Sequence, residues 1–169
     1  MSAFKKIQPN EITQNVFKAI GEGWMLITAQ DGEGKVNTMT ASWGGWGEIW
    51  GKRVAYIVIR PQRYTKEMVD NADTFSLSFL GGEYKDKLGY LGKVSGRDED
   101  KIVKSGLTLE NSGDTPYFAE SELALICKKM YMQEMMPECF TVDGVDEQWY
   151  PNGDYHYLYI GEILEVLEK

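Results

Sequence analysis

One histidine and two cysteines are the only imidazole and thiol side chains in this chain of 169 residues. Cys127 and Cys139 form no C-x-x-C pair, and with His156 they fall short of a structural zinc set. No bound metal is expected, and both cysteines read as buried or incidental free thiols. Basic charge is also short: 18 Lys and Arg stand against 26 Asp and Glu, a formal net charge of -8. That balance argues against general nucleic-acid binding, which needs basic patches to displace counterions, and against docking on an anionic membrane surface. No apolar run approaches the roughly 20 residues of a membrane helix. The opening "MSAFKKIQPN" has lysines but no apolar stretch behind them, so no secretory signal is expected. A cytoplasmic protein is the simplest expectation.

The common nucleotide and hydrolase fingerprints are missing as well. "GEGWM" and "GEGK" contain G-x-G without the third glycine, and neither follows a strand and opens a helix. In "GYLGKVSG" (89–96) the glycine spacing is wrong for a phosphate loop, and Val94 follows Lys93 where Ser or Thr belongs. There is no G-x-S-x-G elbow to go with His156.

What is present is an ordinary globular composition, 43% hydrophobic and 26% charged, long enough for one domain (1–169) with its own core. Tyrosine and tryptophan are well represented, at 10 and 5, and supply stacking faces with polar tips. Residues 10–20 space Ile12, Val16, Phe17 and Ile20 as a short amphipathic helix with Asn10 as its cap. "WMLITAQ" (24–30) and "VNTMTAS" (36–42) flank the turn "DGEGK" and read as a hairpin. "WGGWGEIWGK" (43–52) reads as too glycine-rich for regular structure. Strands follow at 53–59 and 74–80, with a helix at 63–72 between them. Two short helices occupy 83–106, and long strands cover 122–135 and 155–167 around a loop at 142–154. The elements do not alternate as βαβ units. The expected fold is therefore mainly β, of α+β type: an antiparallel barrel or sandwich of roughly six strands with short inserted helices.

Three polar corners carry the chemistry. "TMTASW" (38–43) ends a strand with small hydroxyl residues and free backbone N–H groups. "RPQRYT" (60–65) brings Arg60, Gln62, Arg63 and Thr65 to a strand-to-helix corner, where backbone N–H groups and the helix dipole favour an anion. "KVSGRDEDK" (93–101) adds Ser95, Gly96 and Arg97 at another helix entry. Taken singly, each corner is better explained by helix caps and solvated ion pairs. Together they fit a flat ligand bearing a phosphate, because guanidinium forks suit phosphate oxygens.

"NTMTASWGGWGEIW", "VAYIVIRPQRYTKEMVDNADTFSLSFL", "GYLGKVSGRDEDKI" and "YHYLYIGEIL", in this order, resemble the flavin reductase-like family with its FMN-binding split-barrel fold, and within it the flavoredoxin-type branch. The resemblance runs from about residue 10 to 165. It implies a homodimer of six-stranded antiparallel split barrels with FMN bound noncovalently near the dimer interface. Thr40, Ala41, Ser42 and Trp43 are then expected along the flavin edge. Arg60, Gln62, Arg63, Tyr64 and Thr65 are expected at the ribityl chain and phosphate, with Ser95, Gly96 and Arg97 closing over cofactor or nicotinamide. His156 falls where the family often has a histidine near the flavin, though a core or interface histidine is the competing reading.

The resemblance further implies an FMN-dependent oxidoreductase of flavin reductase type, with NADH or NADPH as donor. Its rival is an electron carrier charged by a redox partner protein. Split barrels that take pyridoxal phosphate-type or haem ligands, and a bare interaction module, are the remaining alternatives.

Overall fold

The computed structural model describes residues 3–169. Ten strands are formed: β1 (Lys5–Ile7), β2 (Met25–Gln30), β3 (Val36–Ala41), β4 (Gly44–Ile49), β5 (Lys52–Ile59), β6 (Thr74–Leu80), β7 (Leu109–Ser112), β8 (Thr115–Phe118), β9 (Ser121–Glu134) and β10 (Tyr157–Glu168). Four α-helices join them: α1 (Tyr64–Asn71), α2 (Lys85–Lys93), α3 (Lys101–Ser105) and α4 (Val145–Trp149).

The main sheet is antiparallel, with β3 and β4 at the two ends of the path β3-β2-β6-β9-β10-β5-β4. Laid flat, six gaps of about 4.8 Å would hold β3 and β4 about 29 Å apart. The chain passes from Ala41 to Gly44 in three steps, which span at most about 11 Å. The sheet must therefore curl until its edges meet, and a Cβ at Gly44 would indeed stand 3.1 Å from the Met25 side chain on β2. This is a split barrel, the fold class expected from the sequence, with more strands than the six anticipated.

Period-two alternation fills the inside. Phe75, Leu77 and Phe79 of β6 point into the main core with Met25, Ile27, Ile57, Ile59 and Tyr159. On the other face of β6 the Ser76 hydroxyl donates to the Pro116 carbonyl (2.6 Å), and the Phe118 N–H donates to Ser78 (3.2 Å). The β7–β8 hairpin, which the sequence reading left unassigned, thus covers the outside of β6 and satisfies its serines. α2 packs through Leu88 and Leu91 into a second cluster with Leu26, Leu80 and Phe118.

Three expectations are corrected. Residues 43–52 are not irregular: Gly44–Ile49 is β4, paired with β5 through a two-residue turn at Trp50 and Gly51, both at positive φ (56° and 68°). Gly44 is required there because a Cβ would stand 2.6 Å from the Tyr56 carbonyl oxygen. Residues 10–20 do not form one helix. A 3-10 turn occupies Pro9–Glu11, and the Asn15 carboxamide accepts from the Phe17 and Lys18 N–H groups (3.0 and 3.2 Å). Helical turns begin only there and continue as a π-helix, Lys18–Gly23, so Asn15 rather than Asn10 is the cap and Phe17 is left 82% exposed. The loop at 142–154 contains α4.

Cys127 is buried and Cys139 exposed, both free. Among the described residues no helix is long and apolar enough to cross a membrane.

Candidate functional site

Two adjoining cavities collect nearly all of the expected residues. The first, about 190 Å³, is lined by Thr40, Ala41, Ser42 and Trp43 from the β3–β4 passage, Arg60 and Arg63 from the β5–α1 corner, and His156 and Trp149. The second, about 220 Å³, is lined by Arg60, Gln62, Arg63, Tyr64 and Thr65 of the same corner, Ser95 and Gly96, and also Asn37, Lys93 and Lys101. They share Met39, Arg60 and Arg63. A larger cleft, about 720 Å³, holds none of the expected residues; it sets Asp31, Asp73, Asp114 and Glu165 against Lys128, the wrong sign for an anion.

At the first cavity, Ser42 and Trp43 belong to neither the β2–β3 nor the β4–β5 ladder, so their N–H groups are free to meet a ligand. The Thr40 hydroxyl is not: it donates to the Leu88 carbonyl (2.5 Å) and ties β3 to α2. His156 is 9% exposed, with its ring 5.1 Å from that of Trp43 and its Nδ1 sharing a 2.8 Å hydrogen bond with the Tyr150 hydroxyl. Burial, followed by the Arg60 guanidinium, lowers its pKa to about 4, against a smaller opposing effect of Asp154. The imidazole is neutral at pH 7 and acts as a hydrogen-bonding group.

The corner at 60–65 is held from two sides. Arg60 donates to the Trp149 carbonyl (2.8 Å) and pairs with the Asp154 carboxylate, and Gln62 donates to the same carboxylate (2.9 Å). Those bonds, from Gln62 first and Arg60 next, hold the Asp154 carboxyl below its usual range. Arg63 caps α1 with extended backbone, and its guanidinium donates to the Gly92 carbonyl (2.8 Å). Thr65 is buried and accepts from the Asn37 carboxamide (2.9 Å), which leaves its own O–H to donate. A Cβ at Gly96 would run into the Asn37 carboxamide oxygen, so any larger residue there would have to push the buried Asn37 side chain aside. Arg97 is the one expected residue that lines neither cavity. Its guanidinium lies 4.6 Å from the Tyr64 ring, pairs with Glu67 and donates to the Gln62 carbonyl (3.3 Å).

The charge of the second cavity is the decisive feature. Arg60, Arg63, Lys93 and Lys101 line it and no carboxylate does, although the chain as a whole carries a formal net charge of -8.

The model of the flavin reductase like domain matches residues 17–169. The chain belongs to this family. No curated protein matches it. Among solved structures, an FMN-binding domain of a flavin reductases-like enzyme from Shewanella baltica OS155 superposes with a TM-score of 0.70 at 18% identity, over 98% of this chain and 76% of that one. A flavoredoxin from Methanosarcina acetivorans gives 0.68 at 21%, over 98% and 75%. A flavoredoxin of Desulfovibrio vulgaris (Miyazaki F) gives 0.66 at 22%, over 96% and 75%. At these identities the likeness is one of fold.

Sequence reasoning missed several residues of this candidate site. Asn37 looked like an ordinary strand residue; the signal was a carboxamide inside a strand where burial is expected. Trp149, Tyr150 and Asp154 were passed over as loop, yet they brace Arg60 and His156. Lys101 stood at the end of a quoted motif and is 4% exposed.

Proposed function

We propose that the chain binds FMN and is an oxidoreductase of flavin reductase type that takes hydride from NADH or NADPH. The observation that carries this reading is the carboxylate-free cationic cavity of an acidic protein, set at the start of α1. FMN, when bound, supplies redox chemistry that no side chain offers.

The chain's own residues have the remaining tasks. The Tyr64 and Thr65 N–H groups open α1 without partners inside the helix, and with Arg63 and the Thr65 hydroxyl they suit a phosphate. The Ser42 and Trp43 N–H groups suit a flat heterocycle in the neighbouring cavity, where they can stabilise negative charge on its edge, and Trp43 gives it an apolar wall. Neutral His156 offers one further hydrogen bond there. The reading extends to a homodimer: Trp50, Tyr56 and Tyr131 stand 58%, 40% and 37% exposed, with Tyr56 and Tyr131 both opposite Ile160 on one stretch of sheet.

A second reading, an electron carrier charged by a redox partner protein, is favoured by the two flavoredoxins of the same fold. NADH use finds support in another fold neighbour, the NADH:FAD oxidoreductase of Streptomyces globisporus, 15% identical with a TM-score of 0.66. The test is to load the protein with FMN without oxygen, then add NADH and NADPH in turn. Rapid bleaching supports the reductase and names its donor, whereas persistent colour supports the carrier. Failure to take up FMN overturns both.

A further inference from the structure

His156 separates the first cavity from a second aromatic layer. Its ring lies 5.1 Å from that of Trp43, which lines the cavity, and 5.5 Å from that of Tyr150, which lines neither cavity and stacks on Tyr155 at 4.9 Å. A neutral imidazole holds one proton, and the bond made by one nitrogen decides what the other presents. Nδ1 and the Tyr150 hydroxyl stand 2.8 Å apart, and among the described residues no protein group bonds Nε2. The guanidinium groups of Arg60 and Arg63, which share this cavity, spend their contacts on Asp154 and on the Trp149 and Gly92 carbonyls instead.

The contact at Nδ1 can be made in two ways. If Nδ1 held the proton and donated it, the Tyr150 O–H would be left with the Met135 sulfur at 3.6 Å, a weak acceptor. The phenol oxygen would then accept twice, because the His156 backbone N–H is directed at it too. If instead Tyr150 donates to Nδ1, its oxygen serves the backbone N–H and its proton meets a strong acceptor. The imidazole proton is then left on Nε2. Burial above all raises the Tyr150 pKa, against Arg60 and that same N–H, so the phenol keeps a proton to give. An Nε2–H would face the cavity beside the N–H groups of Ser42 and Trp43, which no ladder uses.

We propose that Tyr150 is a positioning residue that holds His156 in the Nε2–H tautomer, so that the imidazole meets a ligand as a hydrogen-bond donor and selects an acceptor atom on it. The ligand part rests on the FMN reading. There the donor favours the flavin edge most when reduction has placed negative charge on it, so Tyr150 acts on the reduction potential from outside the cavity.

Because His156 is the only histidine, its tautomer can be read without flavin. Nitrogen NMR of the histidine-labelled apoprotein at pH 7, well above the imidazole pKa of about 4, assigns the proton to one ring nitrogen. The expected result is a single Nε2–H form in the wild type and a mixture of both tautomers in Tyr150→Phe, which keeps the stacked ring. The same two proteins are then loaded with FMN and their reduction potentials measured. Tyr150→Phe should lose about three- to tenfold in its preference for reduced over oxidised FMN, the worth of one neutral hydrogen bond, which lowers the potential by about 15–30 mV. A wild type with Nδ1–H, or with both forms, overturns the proposal even where the variant fails to fold. An unchanged tautomer in Tyr150→Phe reduces Tyr150 to packing and overturns it too. A changed tautomer with an unchanged potential means that the Nε2–H does not meet the ligand, and overturns its part in binding. Failure to take up FMN sinks the FMN reading itself, while the flavin-free spectrum still decides the role of Tyr150.

Discussion

The Tyr150 hydroxyl and the His156 Nδ1 lie 2.8 Å apart, and the Arg60 guanidinium sits 5.2 Å from the Tyr150 ring. This contact fixes the orientation of the imidazole and links it to the corner that ends β5. Arg60 also donates to the Trp149 carbonyl and pairs with the Asp154 carboxylate, to which Gln62 donates as well, so the segment between α4 and β10 is fastened to the β5–α1 corner by two side chains. An ionised imidazole would face the cations Arg60 and Arg63 and lose part of its hydration, with only Asp154 in its favour.

Stability should therefore fall on acidification through His156. Its pKa lies near 4 in the folded protein, below the ordinary value of 6.5. The unfolded chain takes up this proton as pH drops through 6.5, while the folded chain resists until about 4. The group's contribution is complete above the unfolded value and is lost toward the folded one, on the order of 3 kcal/mol in total. Urea unfolding at pH 7 and pH 4.5 should show a smaller drop for His156→Gln than for the wild type. Equal drops would mean that the imidazole is not held neutral.

Arg63→Ala should weaken FMN binding by about 1.5–3 kcal/mol through loss of a charge-assisted hydrogen bond, and the added Thr65→Ala should weaken it further. Titration by flavin fluorescence measures both. Thr65 also carries the Asn37 bond, so the double variant should melt lower as well. Unchanged affinity with a lowered melting point would assign the corner to folding alone.

Much of this was legible in the sequence, for identifiable reasons. β6 alternates Phe75, Leu77 and Phe79 with serines, a period that no helix shares, and β5 and β9 contain long apolar runs. The corner at 60–65 was legible because two arginines beside a proline follow such a run. β4 was hidden because local propensity argues against glycine in strands, while the reason for Gly44 lies on another strand, in the backbone of Tyr56. The brace around His156 was hidden for a related reason: Trp149 and Asp154 act on Arg60 across about ninety residues of chain, a distance that no periodicity reports.

Asp154→Asn should trade stability for affinity. The carboxylate holds both Arg60 and Gln62 while opposing any anion that approaches Arg60. The neutral amide should release part of that hold, so the melting temperature should drop while FMN binds several-fold more tightly. Calorimetry and fluorescence titration on the same preparation read the two effects. Weaker FMN binding would mean that Asp154 serves the site by positioning Arg60 rather than by restraining it.

The two glycines that open β4 should respond differently to alanine. At Gly44 the new Cβ meets the Tyr56 carbonyl oxygen at 2.6 Å, at a φ of 148°, which L-residues rarely adopt. Backbone of a paired strand cannot yield cheaply, so overpacking of about 1–3 kcal/mol adds to a backbone strain of about the same size. At Gly45 the new Cβ meets the ring and hydroxyl of Tyr56, a side chain that is 40% exposed and can turn aside. Reduced entropy of the unfolded chain partly offsets what remains of that cost. Urea unfolding should rank Gly44→Ala as severely destabilised and Gly45→Ala as close to wild type. Because the β3–β4 passage hangs on Gly44, its alanine variant should also lose FMN affinity, while the Gly45 variant keeps it. A Gly44→Ala protein with wild-type stability would show that β4 does not close the barrel beside β2.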